Sequence, residues 1–273
     1  SVDLSTLNDG TLSITADVSD LAGNSATQAT TSTTKDSSPP TISVAINDGG
    51  DGRLNAAEAS SIAISGTTSG AEDDQTVSLN ISSSGGGTPI NTTATVTSNS
   101  YSVTDLDLST LNDGTLSITA DVSDLAGNAA TQATHTSSKD SAAPSIAISS
   151  DLSLLAAGET TTLTFSLSES SSNFTESDIA VSGGSLSAFS GSNSFYTATF
   201  TPNAKSTANG TISVANGTFS DSAGNTNTDG GGFSSIRTRP LQLDLSDRSG
   251  IRVKVKGDGR RYIWHLQTDA KWR

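Results

Sequence analysis

The chain has 273 residues, no cysteine and no methionine, and carries 28 Asp and Glu against 14 Lys and Arg, a formal net charge of −14. Without cysteine there are no disulfides, no Cys-ligated zinc and no thiol catalysis, and the acidity argues against nucleic acid or an anionic membrane surface as a partner. The charge is uneven, with 4 Lys and Arg against 23 Asp and Glu in residues 1–228 but 10 against 5 in residues 229–273, so a domain boundary is placed at Asp229.

From the start of the chain, Leu12, Ile14, Ala16 and Val18 alternate with Ser13, Thr15 and Asp17, the pattern of a half-buried strand with one polar face. The segment Asp3–Asn24 returns letter for letter as Asp107–Asn128, 104 residues later. A period of that length means tandem whole domains rather than a solenoid of small units. Residues 1–38 therefore read as the C-terminal part of one repeat. Pro40 and Pro144, each following a Lys-Asp pair (Lys35-Asp36 and Lys139-Asp140), mark short joints between domains.

Residues 39–143 read as a complete repeat. Strands are expected around Ile42 to Ile46, Ile62 and Ile64, Val77 to Ile81, Ala94 and Val96, Tyr101 and Val103, Leu116 to Val122, and Ala129 to Thr136. Gly85-Gly86-Gly87 and Asn112-Asp113-Gly114 supply turns between them. Seven short strands in about 100 residues predict an antiparallel Greek-key β-sandwich, and no stretch shows a sustained helical period. Residues 144–228 form a divergent repeat. Ile146 and Ile148 open it, Leu163 to Leu167 and Tyr196 to Phe200 continue it, and Asp221–Asn225 closes it as the third D-x-A-G-N after Asp20–Asn24 and Asp124–Asn128. In residues 229–273, Ile251, Val253 and Val255 alternate with Arg252, Lys254 and Lys256 ahead of a Gly257-Asp258-Gly259 turn, which predicts a hairpin with one basic face.

The run Asn47-Asp48-Gly49-Gly50-Asp51-Gly52-Arg53-Leu54-Asn55-Ala56-Ala57-Glu58, followed by strands and D-L-A-G-N, resembles the bacterial Ig-like repeats of giant surface adhesins and biofilm-associated proteins. Leu155–Thr160 and Tyr196–Pro202 are similar to a related Ig-like family of the same proteins. The resemblance covers residues 1–228. It implies tandem immunoglobulin-like sandwiches of an exported protein at the bacterial cell surface, a calcium-stiffened stalk that holds an adhesive tip away from the cell. Gly231–Pro240 and Gly250–Tyr262 resemble the complex I intermediate-associated protein 30 family, which implies a galactose-binding-like jelly roll, here a partial one of about 45 residues.

Calcium is the best-supported ligand of the residues themselves. It prefers several oxygen ligands on turns, often beside a glycine. Asn47, Asp51, Gly52 and Glu58 occupy positions 1, 5, 6 and 12 of an EF-hand-like register, although Gly49 at position 3 offers no side-chain ligand and no flanking helices are evident. The expectation is that Asp20, Asp36, Asp48, Asp51 and Glu58 crowd the first joint and bind calcium, and that Asp124, Asp140 and Asp151 do so at the second. The alternative is that Asp, Asn and Gly serve only as turn residues.

Catalysis has little support: His135 and His265 lie in different domains, and His135 replaces Thr31 of the first copy. The chain is read as non-enzymatic, with neighbouring repeats as its partners and no insertion into a membrane. A second class of function is a carbohydrate- or partner-binding module in the C-terminal segment, with Trp264 and Trp272 stacking on a sugar ring.

Overall fold

The computed structural model describes residues 2–156, 158–204, 209–228 and 234–238. The predicted hairpin at Ile251–Val255, the jelly-roll resemblance beyond Thr238, and Trp264 and Trp272 lie outside the described residues. The described part is all-β apart from one helical turn and one 3-10 turn.

The first unit contributes two strands, β1 (Gly10–Ala16) and β2 (Ala29–Lys35), paired antiparallel from Gly10 opposite Lys35 to Ala16 opposite Ala29. The second unit begins with the short strands β3 (Thr41–Ile42), β4 (Ala45–Ile46) and β5 (Arg53–Leu54), then one helical turn, α1 (Ala56–Ala59). Five strands follow with the expected alternation: β6 (Ile62–Ser69), β7 (Thr76–Ser83), β8 (Ile90–Thr95), β9 (Ser100–Leu106) and β10 (Gly114–Asp121). The unit closes with β11 (Ala133–Lys139).

One sheet of the second unit runs β5-β11-β10-β7-β8. The other is built on β6, which pairs with β3, β4 and β9. The chain crosses between sheets at β4 to β5, β5 to β6, β6 to β7, β8 to β9 and β9 to β10, which makes the Greek-key sandwich. Inward residues of both sheets, among them Ile64, Val77, Ile81, Leu116 and Ile118, form one buried core. Gly66 is required where the sheet meets the preceding strand. A Cβ there would stand 2.0 Å from the Ser43 carbonyl oxygen and 2.6 Å from the Tyr101 hydroxyl. That hydroxyl donates to Ser43 O at 2.6 Å, and burial pushes its pKa up to about 12.

Two local readings differ from the sequence expectation. The helical turn α1 has no apolar period. It exists because Asn55 Oδ1 accepts from Ala57 N and Glu58 N while Glu58 accepts from Asn55 N, a capping box that satisfies the first free amides. The last strand of the unit starts at Ala133 rather than Ala129, because Asp124–Asn128 folds into a tight turn held by its own side chains.

The third unit places β12 (Ile146–Ser150), β14 (Thr161–Ser171) and β16 (Gly184–Pro202) in one sheet. β13 (Leu154–Leu155), β18 (Ser234–Thr238), β17 (Gly210–Val214) and β15 (Ile179–Ser182) form the other. Its core is aromatic where that of the second unit is aliphatic. Phe165, Phe174, Phe189, Tyr196 and Phe219 meet edge to face, tilted or stacked, with centroids 5.1–6.3 Å apart. β18 pairs with β17 and β13 and buries Ile236 in this core. The third sandwich therefore runs to Thr238 rather than ending at residue 228. The basic composition that set the boundary at Asp229 begins inside the last strand of the sandwich.

Ile118 and Val122 are 0% and 4% exposed. Ile118→Ala is expected to cost about 2–5 kcal/mol through lost burial and a residual cavity. Calorimetry of the full-length variant checks it.

Candidate metal centre at the second joint

The D-x-A-G-N turn has the same geometry in all three units. In the third, Asp221 Oδ1 accepts from Ala223 N at 2.8 Å and Asn225 N at 2.9 Å, and Oδ2 accepts from Asn225 Nδ2 at 2.9 Å. In the second, Asp124 accepts from Asn128 N and Nδ2, both at 2.8 Å. Asp20 does the same with Ala22 and Asn24. Hydrogen bonds from the Asn side chain, and then its backbone amide, hold the Asp20 and Asp124 carboxyls below the usual carboxylate range. The glycine is needed at φ +87 to +93°, a left-handed conformation that L side chains rarely adopt. Turn chemistry thus accounts for the motif itself.

The turn also fixes an asparagine side chain that reaches the preceding unit. Asn225 Nδ2 donates to the Asp140 carbonyl oxygen at 2.8 Å, and Asn225 Oδ1 accepts from Ala56 N at 2.9 Å. At the first joint Asn128 Nδ2 donates to the Asp36 carbonyl oxygen at 3.3 Å. Each joint is therefore spanned by the asparagine of the unit that follows it. On the preceding side the linker is tied down by an ion pair, Lys139 Nζ to Asp113 Oδ1 at 2.8 Å, repeated as Lys35 to Asp9 at 2.7 Å. Ser141 and Ser37 donate to the same carboxylates.

This arrangement redistributes the expected ligands. In an antiparallel hairpin the turn and the far end of the second strand lie at opposite poles, and seven residues of strand span about 23 Å. Asp124 is at the turn end of β11 and so faces Asp36 at the first joint, not Asp140 at the second. Asp20 likewise lies at the opposite end of the β1–β2 hairpin from Asp36. β5 pairs in parallel with Ser138 and Lys139, so the Asn47–Glu58 loop belongs to the second joint rather than the first. Asp151 is exposed and precedes β13, which pairs with β18 at the far end of the third unit.

Within the Asn47–Glu58 loop the carboxylates serve the backbone. Asp48 accepts from Gly50 N and from Ser137 Oγ, Asp51 from Arg53 N, and Glu58 caps α1. At the linkers, Asp36 and Asp140 accept from Ser38 N and Ala142 N.

Among the described residues, the group of three acidic side chains that converges is Asp140, Glu169 and Asp221, with one carboxylate oxygen from each all within 4.8 Å of one another. Asp140 comes from the linker, Glu169 from β14 and Asp221 from the D-x-A-G-N turn. Like charges at that separation repel by on the order of 3 kcal/mol per pair at an effective dielectric constant of ~20. Burial, followed by the charges of Asp140, Asp221 and Asp113, raises the pKa of Glu169. Oxygens on opposite sides of a calcium ion stand about 5 Å apart, so the cluster fits a divalent cation with hard oxygen ligands.

Of the eight residues expected to bind metal, Asp140 alone lies in this cluster. Glu169 and Asp221 were not anticipated, although the sequence carries a signal for each. Asp221 belongs to the third copy of the motif. Glu169 takes the inward register of Leu163, Phe165 and Leu167, where an acid at the end of an apolar alternation has no packing reason to be.

The joints and sandwiches define a class: immunoglobulin-like β-sandwiches in tandem, with each joint bridged by side chains. Within it, residues 140–238 match the family described as bacterial Ig-like domain. Two solved structures are similar. One is a tetra-tandem repeat in the extending region of a large adhesion protein, at 25% identity and TM-score 0.39, covering 86% of this chain and 58% of that one. The other is FdeC, an Escherichia coli adhesin, at 18% identity and TM-score 0.41, covering 85% of this chain and 74% of that one. The chain thus spans less than two thirds of the first protein's length. No curated protein matches it significantly.

The sign of the Glu169 shift gives a pH dependence for the metal-free protein. The folded state holds this proton to higher pH than the unfolded chain, whose glutamate titrates at about 4.3. Stability therefore falls as pH rises from that value through the raised folded pKa, and stays lowered above it. Glu169→Gln is expected to remove this pH dependence and raise the melting temperature of the third unit by a few degrees at pH 7 in chelator. Melts of both proteins between pH 4 and 7 check it.

Proposed function

We propose that this chain is a length of non-catalytic, calcium-stiffened stalk from an exported bacterial surface adhesin or biofilm protein, spacing a binding tip from the cell. The observation that carries the reading is the convergence of Asp140, Glu169 and Asp221 at a joint already bridged by Asn225. Without a cation the three charges repel across the joint and leave it mobile. A bound calcium ion joins linker and third unit through ionic ligands and biases the joint toward one orientation. The repeated sandwiches and the match of residues 140–238 to the bacterial Ig-like domain support the surface setting. So does the acidity of residues 1–228, which suits a medium rich in divalent cations. No helix among the described residues is long and apolar enough to cross a membrane.

At the first joint Asp36 and Asp124 take the places of Asp140 and Asp221, and Glu72, just after β6, is the acid beside the turn. Glu72 is engaged there by Leu125 N at 2.8 Å, and among the described residues no three carboxylates of that joint converge in the same way. Calcium is therefore assigned to the second joint first.

A site with a Kd ten-fold below ambient calcium stabilises its folded joint by about 1.4 kcal/mol. Calorimetric titration of the full chain is expected to show calcium binding that Asp221→Asn or Glu169→Gln weakens at least ten-fold and that Asp151→Asn leaves unchanged. Small-angle scattering is expected to show a shorter mean length in chelator. Absence of calcium binding, or affinity indifferent to Asp221 and Glu169, would reduce the chain to a passive spacer.

A further inference from the structure

We propose that a groove of the third unit, between Ser170–Glu176 and the tip of β16, is a binding site for a neutral sugar ring. Its volume is about 700 Å³, within the range of small-molecule sites. Two departures from regular strand geometry open it. The register of β14 on β16 shifts between Ser166 opposite Phe195 and Ser171 opposite Asn193, so that Leu167–Ser170 face the single residue Ser194. A bulge of that size bends β14 away from its neighbour. β16 itself turns back, since Asn203 N donates to Gly183 O at 2.9 Å. At its tip a Cβ on Gly191 would stand 2.3 Å from the Phe195 carbonyl oxygen, so glycine is required for the chain to close there.

The same tip holds two non-glycine residues at positive φ, Ala188 at 52° and Asn193 at 58°. A left-handed alanine is strained, and such strain gathers at binding sites. Here it breaks the alternation of the strand, so that Leu186 and Phe189, three apart, both turn toward the core. Phe189 stacks on Tyr196 with centroids 5.6 Å apart, yet stays half-buried and gives the groove an apolar wall. Exposed Ser172, Ser192, Asn193 and Ser222 supply hydroxyls and an amide around it. The lining has one carboxylate, Glu176, and no Lys, Arg or His. It therefore offers nothing to neutralise an anion, and too few ligands for a hard cation. A purely apolar ligand would leave the polar rim without partners. A sugar ring matches both parts, with a C–H face for the aromatic wall and hydroxyls for the rim. The groove adjoins the acidic cluster, with Ser170 beside Glu169 and Ser222 beside Asp221, but uses none of its carboxylates.

The test titrates methyl β-glucoside, methyl β-galactoside, methyl α-mannoside and N-acetylglucosamine into the isotope-labelled full chain. It is done in chelator, so that the outcome is independent of calcium. Saturable amide shifts with a millimolar dissociation constant are expected for at least one sugar, confined to Ser170–Glu176, Phe189–Asn193 and Ser222. Ser172→Trp and Ser192→Trp, at exposed positions on opposite walls, should fill the groove and weaken binding by more than about ten-fold without changing the melting temperature. Ser213→Trp, on the other sheet, should change neither. Glucuronate, the same ring with a negative charge, should bind more weakly than the glucoside by about ten-fold. The inference is overturned by no saturable shifts with any of these sugars, by shifts centred elsewhere, by affinity untouched in both groove variants, or by glucuronate bound as tightly as the glucoside.

Discussion

The organising interaction is the pair of hydrogen bonds by which an aspartate of D-x-A-G-N holds the asparagine four residues on. Asp221 accepts from both the backbone amide and the side-chain amide of Asn225. That leaves Asn225 with one N–H and its oxygen aimed at the preceding unit, where Asp140 O and Ala56 N receive them. A motif that is local in sequence thereby becomes a device for joining domains. It works because the glycine at φ +91° lets the chain close the turn without strain. The same turn brings the Asp221 carboxylate against the linker, so the bridging of the joint and its negative charge have one origin.

The repeated hairpin shows how much a hairpin settles for itself. Copies identical through the first strand and the turn, and different at four positions of the second strand, give the same register twice, from Gly10 opposite Lys35 and from Gly114 opposite Lys139. They also give the same ion pair and the same turn. Burial needs more than the hairpin: Leu116 and Ile118 are core residues because β7 and the sheet built on β6 cover them.

The two complete sandwiches solve the same packing problem with different side chains. The second fills its interior with Ile, Leu and Val. The third uses interlocking aromatic rings and a longer central strand. Each nevertheless anchors a tyrosine hydroxyl on a backbone carbonyl, Tyr101 of the sheet built on β6 on Ser43 and Tyr196 of the β12-β14-β16 sheet on Ser171. The constraint shared by the two units lies in backbone hydrogen bonding and at the poles, and the identity of the core residues is free to drift.

Alternation of apolar and polar residues, turn glycines and the 104-residue repeat were enough to read the all-β architecture, the two joints and most strands from the sequence. These are local or periodic signals, and a strand of period two declares its buried face without reference to a partner. The α1 turn was missed because four residues carry no period, only a cap. The grouping of acidic residues was misread for a geometric reason: proximity in sequence to a linker does not give proximity in space when a strand of about 23 Å intervenes. The sequence by itself determined the turns and the hairpins, since these rest on contacts within a few residues. The tertiary structure alone decided which pole each loop occupies and that Asp140, Glu169 and Asp221 meet, since these depend on how strands distant in the chain are ordered in each sheet.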